Sequence, residues 1–254
     1  MSSASIARES VVNLSHFRMD FGDKTVIKDL SFDVYKGEVF GFLGSNGSGK
    51  TTAIRALLGL YQPTGGELLV GGKPFSVSSG IKLGYLPEER GLYKKESVID
   101  VMLYFGQLKG LSRSEARKRA EAFLAQVKLS DKASSRIDKL SGGQQQKVQL
   151  GITVMNDPDL LILDEPTKGF DPVNRRLLMD IIEEHQRGGA TVIFVTHQME
   201  EVERLCDRII LLKDGVARAY GTIADVKREF GNASLDDIFI KVYGDENEQT
   251  EEEQ

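Results

Sequence analysis

The stretch Val39-Phe40-Gly41-Phe42-Leu43-Gly44-Ser45-Asn46-Gly47-Ser48-Gly49-Lys50-Thr51-Thr52 decides the fold class. Its first five residues are apolar throughout, as expected of a strand covered on both faces. Gly44 to Thr51 then match G-x-x-x-x-G-K-[ST] without a gap, and a helix-like segment runs on from Thr51 to Leu60. Each position has a physical reason. The glycines let the backbone between Gly44 and Gly49 curl so that successive N–H groups point inward at phosphate oxygens. The helix entered through Lys50, Thr51 and Thr52 adds the positive end of its dipole. The Lys50 ammonium faces β- and γ-phosphates, and the Thr51 hydroxyl can hold Mg²⁺. A glycine-rich turn that binds nothing is the bland alternative. A buried strand before the pattern and a helix after it weigh against that alternative.

Outward from this loop, the strand signals fall into two groups. Upstream, Leu30, Phe32 and Val34 alternate with Ser31 and Asp33, between the turn signals Phe21-Gly22-Asp23 and Lys36-Gly37. Glu67-Leu68-Leu69-Val70 lies between pairs of glycines. Downstream come Leu160 to Leu163, Thr191 to Val195, and Arg208 to Leu212 with a hairpin turn at Asp214-Gly215. Between them, Val98 to Met155 is helical in pattern. There, Ser112 and Glu115 make a capping box, and Ala116, Ala120, Phe123, Leu124 and Val127 share one face. Strands alternating with helices imply an α/β fold with a mostly parallel sheet, and the helical block reads as an insertion in it.

Two further features belong with the phosphate loop. Asp164 and Glu165 end a buried strand, at the edge of an α/β sheet where ligands bind. Asp164 suits Mg²⁺, held through water, and Glu165 suits the base that takes a proton from an attacking water. His197 ends the next strand, within potential reach of a γ-phosphate or of that water. Ordinary solvated charges and a structural histidine are the bland readings. His16 and His185 have no such context and read as surface residues.

Charge excludes one function class. The 33 basic and 38 acidic residues sum to −5, but six acids fall within residues 245–254, so residues 1–244 sum to +1. No Lys/Arg block tracks a nucleic-acid backbone, and no nucleic-acid partner is expected. The acidic end reads as a solvated tail. The single cysteine, Cys206, suits a reducing compartment. No apolar run approaches the roughly 20 residues of a membrane span, and Met1 to Ser10 lack a signal-peptide core. A cytoplasmic chain is expected.

Leu140-Ser141-Gly142-Gly143-Gln144, followed by Gln145-Gln146-Lys147, would alone be a helix start with Ser141 as N-cap. In order with the P-loop, Asp164-Glu165 and His197, it resembles the signature of ATP-binding cassette (ABC) ATPases, over roughly residues 10–240. Gly84 to Tyr93 and Ser234 to Phe239 look most like bacterial cassettes of sodium- and drug-extrusion exporters. The resemblance implies a RecA-like P-loop core with an N-terminal antiparallel β subdomain and an inserted helical subdomain. The corresponding segments are 1–87, a helical signature-bearing 88–156, 157–244, and the tail 245–254.

The resemblance also implies an ATPase that uses ATP and Mg²⁺ and pairs head to tail with a second cassette, identical or related. Ser141, Gly142, Gly143 and Gln144 would contact the ATP held by the partner's Lys50. Asp171 would lie in the loop crossing between the sites. Phe21 matches the aromatic that stacks on adenine, with turn packing as its alternative. Where the family usually has glutamine linking Mg²⁺ to the membrane partner, this chain has Glu88, which keeps an oxygen ligand but adds a negative charge. Either Glu88 or Glu89 can be the contacting residue, and the register favours Glu88. The implied function is to power an exporter from the inner face of the membrane through an integral permease subunit. Tyr93, Val98, Leu103, Tyr104 and Phe105 would border the permease groove or form the helical insertion's own core. The alternative is a soluble ABC ATPase in an assembly or repair complex.

Overall fold

The computed structural model describes residues 8–74, 80–89 and 91–244. The acidic tail, Arg90 and residues 1–7 of the N-terminal segment lie outside them. In chain order the elements are β1 (Ser10–Phe21), β2 (Lys24–Tyr35), β3 (Val39–Gly44), α1 (Lys50–Leu57), β4 (Gly65–Val70) and β5 (Leu83–Leu86). Then come α2 (Val98–Leu108), α3 (Arg113–Gln126), α4 (Gly142–Val154), β6 (Leu160–Asp164), α5 (Pro172–Arg187) and β7 (Thr191–Val195). The last described elements are α6 (Met199–Leu205), β8 (Arg208–Lys213), β9 (Val216–Thr222), α7 (Ile223–Glu229) and α8 (Leu235–Tyr243). They fall into two compact units, Met1–Ile81 with Thr191–Gln254, and Lys82–Ala190.

In the first unit the strands run β4-β1-β2-β9-β8-β3-β7. β1 pairs antiparallel with β2 and β4, whereas β3 pairs parallel with both β7 and β8. Alternation explains the antiparallel part: Leu14 lies opposite Phe32 and Phe17 opposite Leu30, all four buried. β3 and β7 are buried at every position, which explains their unbroken apolar runs. The Phe32 and Phe40 rings stack at 5.2 Å, joining the two parts of the sheet. The α/β class and the antiparallel N-terminal strands expected from the sequence are both present.

In the second unit β5 pairs parallel with β6, and α2, α3 and α4 lie between them in the chain. Ala116, Ala120, Phe123, Leu124 and Val127 are all buried, and the capping box at Ser112 and Glu115 forms. β5 was not anticipated. It is four residues long and contains Gly84, where a Cβ would meet the Thr153 carbonyl oxygen at 2.9 Å, so the glycine serves close packing of α4. The first helix stops at Leu57, short of the expected Leu60. Among the described residues no helix is long and apolar enough to cross a membrane.

Candidate functional site: a phosphate loop and a second helix start

The phosphate loop is held by its own unit. Gly49 is the N-cap of α1 at φ +110°, a conformation open to glycine, and a Cβ there would strike Ile27 Cδ1. At the tip of the β8–β9 hairpin, Asp214 and Gly215 both have positive φ, the geometry of a type I′ turn. The Gly215 N–H donates to the Ser48 carbonyl at 3.2 Å and bridges the hairpin to the loop. No side chain caps α1, and its first turn carries no acid, as suits a helix start that receives phosphate. Lys50 Nζ donates to the Gly44 and Ser45 carbonyls at 2.7 and 2.9 Å. Ser48 Oγ is buried without a hydrogen-bond partner among the described residues.

The parallel register of Phe42 with Val195 brings the end of β7 beside the end of β3. His197 therefore emerges, exposed, on the same edge as the phosphate loop. Thr196 sets the turn: its Oγ1 donates to Glu201 and accepts from the Gln198 N–H. Phe21 is partly exposed at the β1–β2 turn and meets the Tyr61 ring edge-on at 5.1 Å. Tyr61 was not anticipated; no motif marks it.

The second unit gathers the other expected residues. Leu86 pairs with Leu163, so Glu88 and Asp164-Glu165 leave adjacent parallel strands at one edge. Asp164 and Glu165 are 7% and 8% exposed. Glu165 has φ +49°, a strained setting for a glutamate and a frequent mark of a working site. Lys168 Nζ donates to Glu88 Oε1 at 2.6 Å, a bond that raises the lysine's pKa. The Glu89 carbonyl is held separately, by Gln149 Nε2 at 3.2 Å. Within this unit Glu88 and Asp164 carry carboxylate oxygens, hard donors of the kind that suit Mg²⁺, and in the first unit the Thr51 hydroxyl is another such donor. Mg²⁺ is commonly bound through one or two carboxylates plus substrate phosphates rather than by a full protein cage.

Ser141 caps α4 in a reciprocal box: its Oγ accepts from the Gln144 N–H, and Gln144 Oε1 accepts from the Ser141 N–H. Gly143 lies against the Phe170 ring, with room for a Cβ only at 3.3 Å. Asp171 is the N-cap of α5, accepting from the Asn174 N–H at 2.9 Å, and these bonds hold its carboxyl below the usual carboxylate range. Ser141, Gly143, Gln144 and Asp171 border an open cavity of about 430 Å³ whose walls also include Lys128 and Lys147. Burial pushes the Lys147 pKa down. The two lysines had no sequence signal beyond their charge.

The groups singled out around the helical insertion divide. Val98 and Leu103 are buried in its core. Tyr93 and Tyr104 are about half exposed, contact one another at 5.7 Å, and line a hollow of about 380 Å³ with Glu96 and Asp100. His185 corrects the surface reading: it is half-buried, and desolvation lowers its pKa.

A family model described as ABC transporter matches residues 27–168. The chain is 48% identical over 219 residues to the uncharacterized ABC transporter ATP-binding protein MJ1023 of Methanocaldococcus jannaschii, covering 86% of this chain and 79% of that one. It is 36% identical over 228 residues to the linearmycin resistance ATP-binding protein LnrL of Bacillus subtilis, covering 89% and 73%. It is 36% identical over 243 residues to the Nod factor export ATP-binding protein I of Cupriavidus pinatubonensis, covering 94% and 74%. A solved structure of the ATP-binding subunit of an ABC transporter superposes with a TM-score of 0.84 at 29% identity, covering 91% of this chain and 99% of that one. An intact phosphate loop within that fold, and sequence kinship along most of the chain, place the protein in the ABC transporter family as an ATP-binding subunit with ATPase activity.

Proposed function

We propose that this subunit powers an exporter, by closing head to tail on a second cassette around ATP and opening again after hydrolysis. The observation that carries the reading is the cavity at Ser141, Gly143 and Asp171: a second helix start with donors suited to phosphate, lined by no residue of the phosphate loop. A nucleotide held by another copy's loop would fill it. Export is supported by relatives named for linearmycin resistance and Nod factor export.

Each residue then has one task. The loop from Gly44 to Gly49, with Lys50, Thr51 and Thr52, cradles the phosphates, and Phe21 packs on the base. Bound Mg²⁺ would offset charge between the β- and γ-phosphates, with Thr51, Asp164 and Glu88 to hold it. Glu165 takes the proton of the in-line water, and His197 steadies that water or the γ-phosphate. Lys50 lies against the charge that develops in the transition state. Ser141 to Gln144 and Asp171 complete the neighbouring copy's site. The signature-bearing segment 88–156 meets an integral permease subunit at the inner face of the membrane, through the hollow of Tyr93, Tyr104, Glu96 and Asp100.

Light scattering on Glu165→Gln protein tests the central claim. Turnover falls about 10²–10⁴-fold, nucleotide binding persists, and a dimer forms with MgATP but not with MgADP. A variant that still hydrolyses normally, or stays monomeric with ATP bound, refutes the reading.

A further inference from the structure

Glu88 brings a negative charge to an edge already crowded with them. Glu88, Asp164 and Glu165 leave β5 and β6 side by side, and Glu89 follows directly in the chain. Under the function proposed above, a nucleotide carrying three phosphates would meet that charge. Lys168 lies three residues beyond Glu165, in a turn closed by its own N–H donating to the Glu165 carbonyl at 3.2 Å. Its ammonium reaches back to Glu88 Oε1 at 2.6 Å. It also feels the Glu165 charge, though less than that of Glu88.

The pair is a poor stability device. Both side chains are well exposed, at 62% and 46%, and exposed ion pairs contribute little to folding. Its effect lies in local charge: a glutamate and a lysine joined by a hydrogen bond are together neutral, as a glutamine amide is. The pair also fixes the direction in which the Glu88 carboxyl points.

We propose that Lys168 is a positioning residue that neutralises and orients Glu88, so that an acid works where the family usually has glutamine. The inference rests on Glu88 lying near the nucleotide's metal. Lys168 occupies one carboxylate oxygen and leaves the other for Mg²⁺. Without it, the bare Glu88 charge repels metal-free nucleotide and draws the metal more strongly.

The test uses the full chain with Lys168→Met, Glu88→Gln, both together, and Lys168→Arg. Equilibrium binding of a fluorescent ATP analogue is followed without Mg²⁺ and along a Mg²⁺ titration. Lys168→Met weakens metal-free binding about tenfold, which corresponds to about 1.4 kcal/mol of added repulsion between the uncompensated carboxylate and the phosphates. It also lowers the Mg²⁺ midpoint. In the Glu88→Gln background the same change shifts neither quantity, and Lys168→Arg keeps both close to wild type. Equal effects of Lys168→Met in the two backgrounds overturn the proposal. So does a shift in melting temperature with no change in the Mg²⁺ midpoint, which marks a structural role only. If Glu88→Gln alone leaves the midpoint in place, the metal role of Glu88 falls first and takes this inference with it.

Discussion

At the scale of single residues, two side chains tolerate a backbone that suits neither. Glu165 and Lys128 have φ +49° and +59°, whereas the other positive-φ side chains are His, Asp or Asn, which accept that region more readily. For Glu165 the strained setting coincides with the place of the proposed general base. Lys128 has a local cause. It follows the end of α3, where its N–H donates to the Ala125 carbonyl and the Leu129 N–H to the Leu124 carbonyl, the two bonds of a Schellman motif. At the matching position after α2 stands Gly110, with φ +88°. Lys128→Gly therefore stabilises the fold by up to about 1 kcal/mol, measured as a higher midpoint in urea with an unchanged slope. An unchanged or lower midpoint means that the lysine stem packs usefully on the cavity wall.

Elements are joined by a few polar anchors in an otherwise apolar core. Arg208 opens β8, is 8% exposed, and its guanidinium donates to Glu38 Oε1 at 3.1 Å between the rings of Tyr35 and Tyr220. Glu38 precedes β3 and also accepts from the Tyr35 N–H, so one ion pair ties β2, β3, β8 and β9 together. Burial raises the Glu38 pKa, and Arg208 opposes the shift. Removing only the cation leaves a buried carboxylate uncompensated. Arg208→Met costs about 3–5 kcal/mol, whereas Arg208→Met with Glu38→Gln costs much less. Thermal unfolding of the two variants checks this, and equal losses refute the ion-pair account. The aromatic rows of β3 were readable from their apolar pattern, but this pair was not. Its members are 170 residues apart in sequence, and neither lies in a motif.

For the whole molecule, ligand linkage separates the two halves of the proposed cycle. A ligand that binds only the folded chain raises stability by RT ln(1 + [L]/Kd), about 2.7 kcal/mol at a hundredfold excess over Kd. In the Glu165→Gln background, MgATP raises the melting temperature, and more so at higher protein concentration because dimers form. Adding Ser141→Arg, which fills the signature cavity, keeps the first effect and removes the second. A concentration dependence that survives the arginine counts against a composite site.

The sequence by itself determined the phosphate loop, the signature, the strand-end acids and the α/β alternation, because each is a short-range pattern whose chemistry and geometry are set by neighbours in the chain. Gly49 supplies the left-handed turn that opens α1, and Ser141 with Gln144 closes its own capping box. Only the tertiary structure decided which side chains meet across long separations. It put Lys168 on Glu88, divided Tyr93 and Tyr104 from the buried Val98 and Leu103, half-buried His185, and seated the Gly215 hairpin under the loop at Ser48. These pairings depend on strand register and helix packing, which a one-dimensional pattern does not carry. For that reason the charge that balances Glu88 was invisible beside the motif that raised the question.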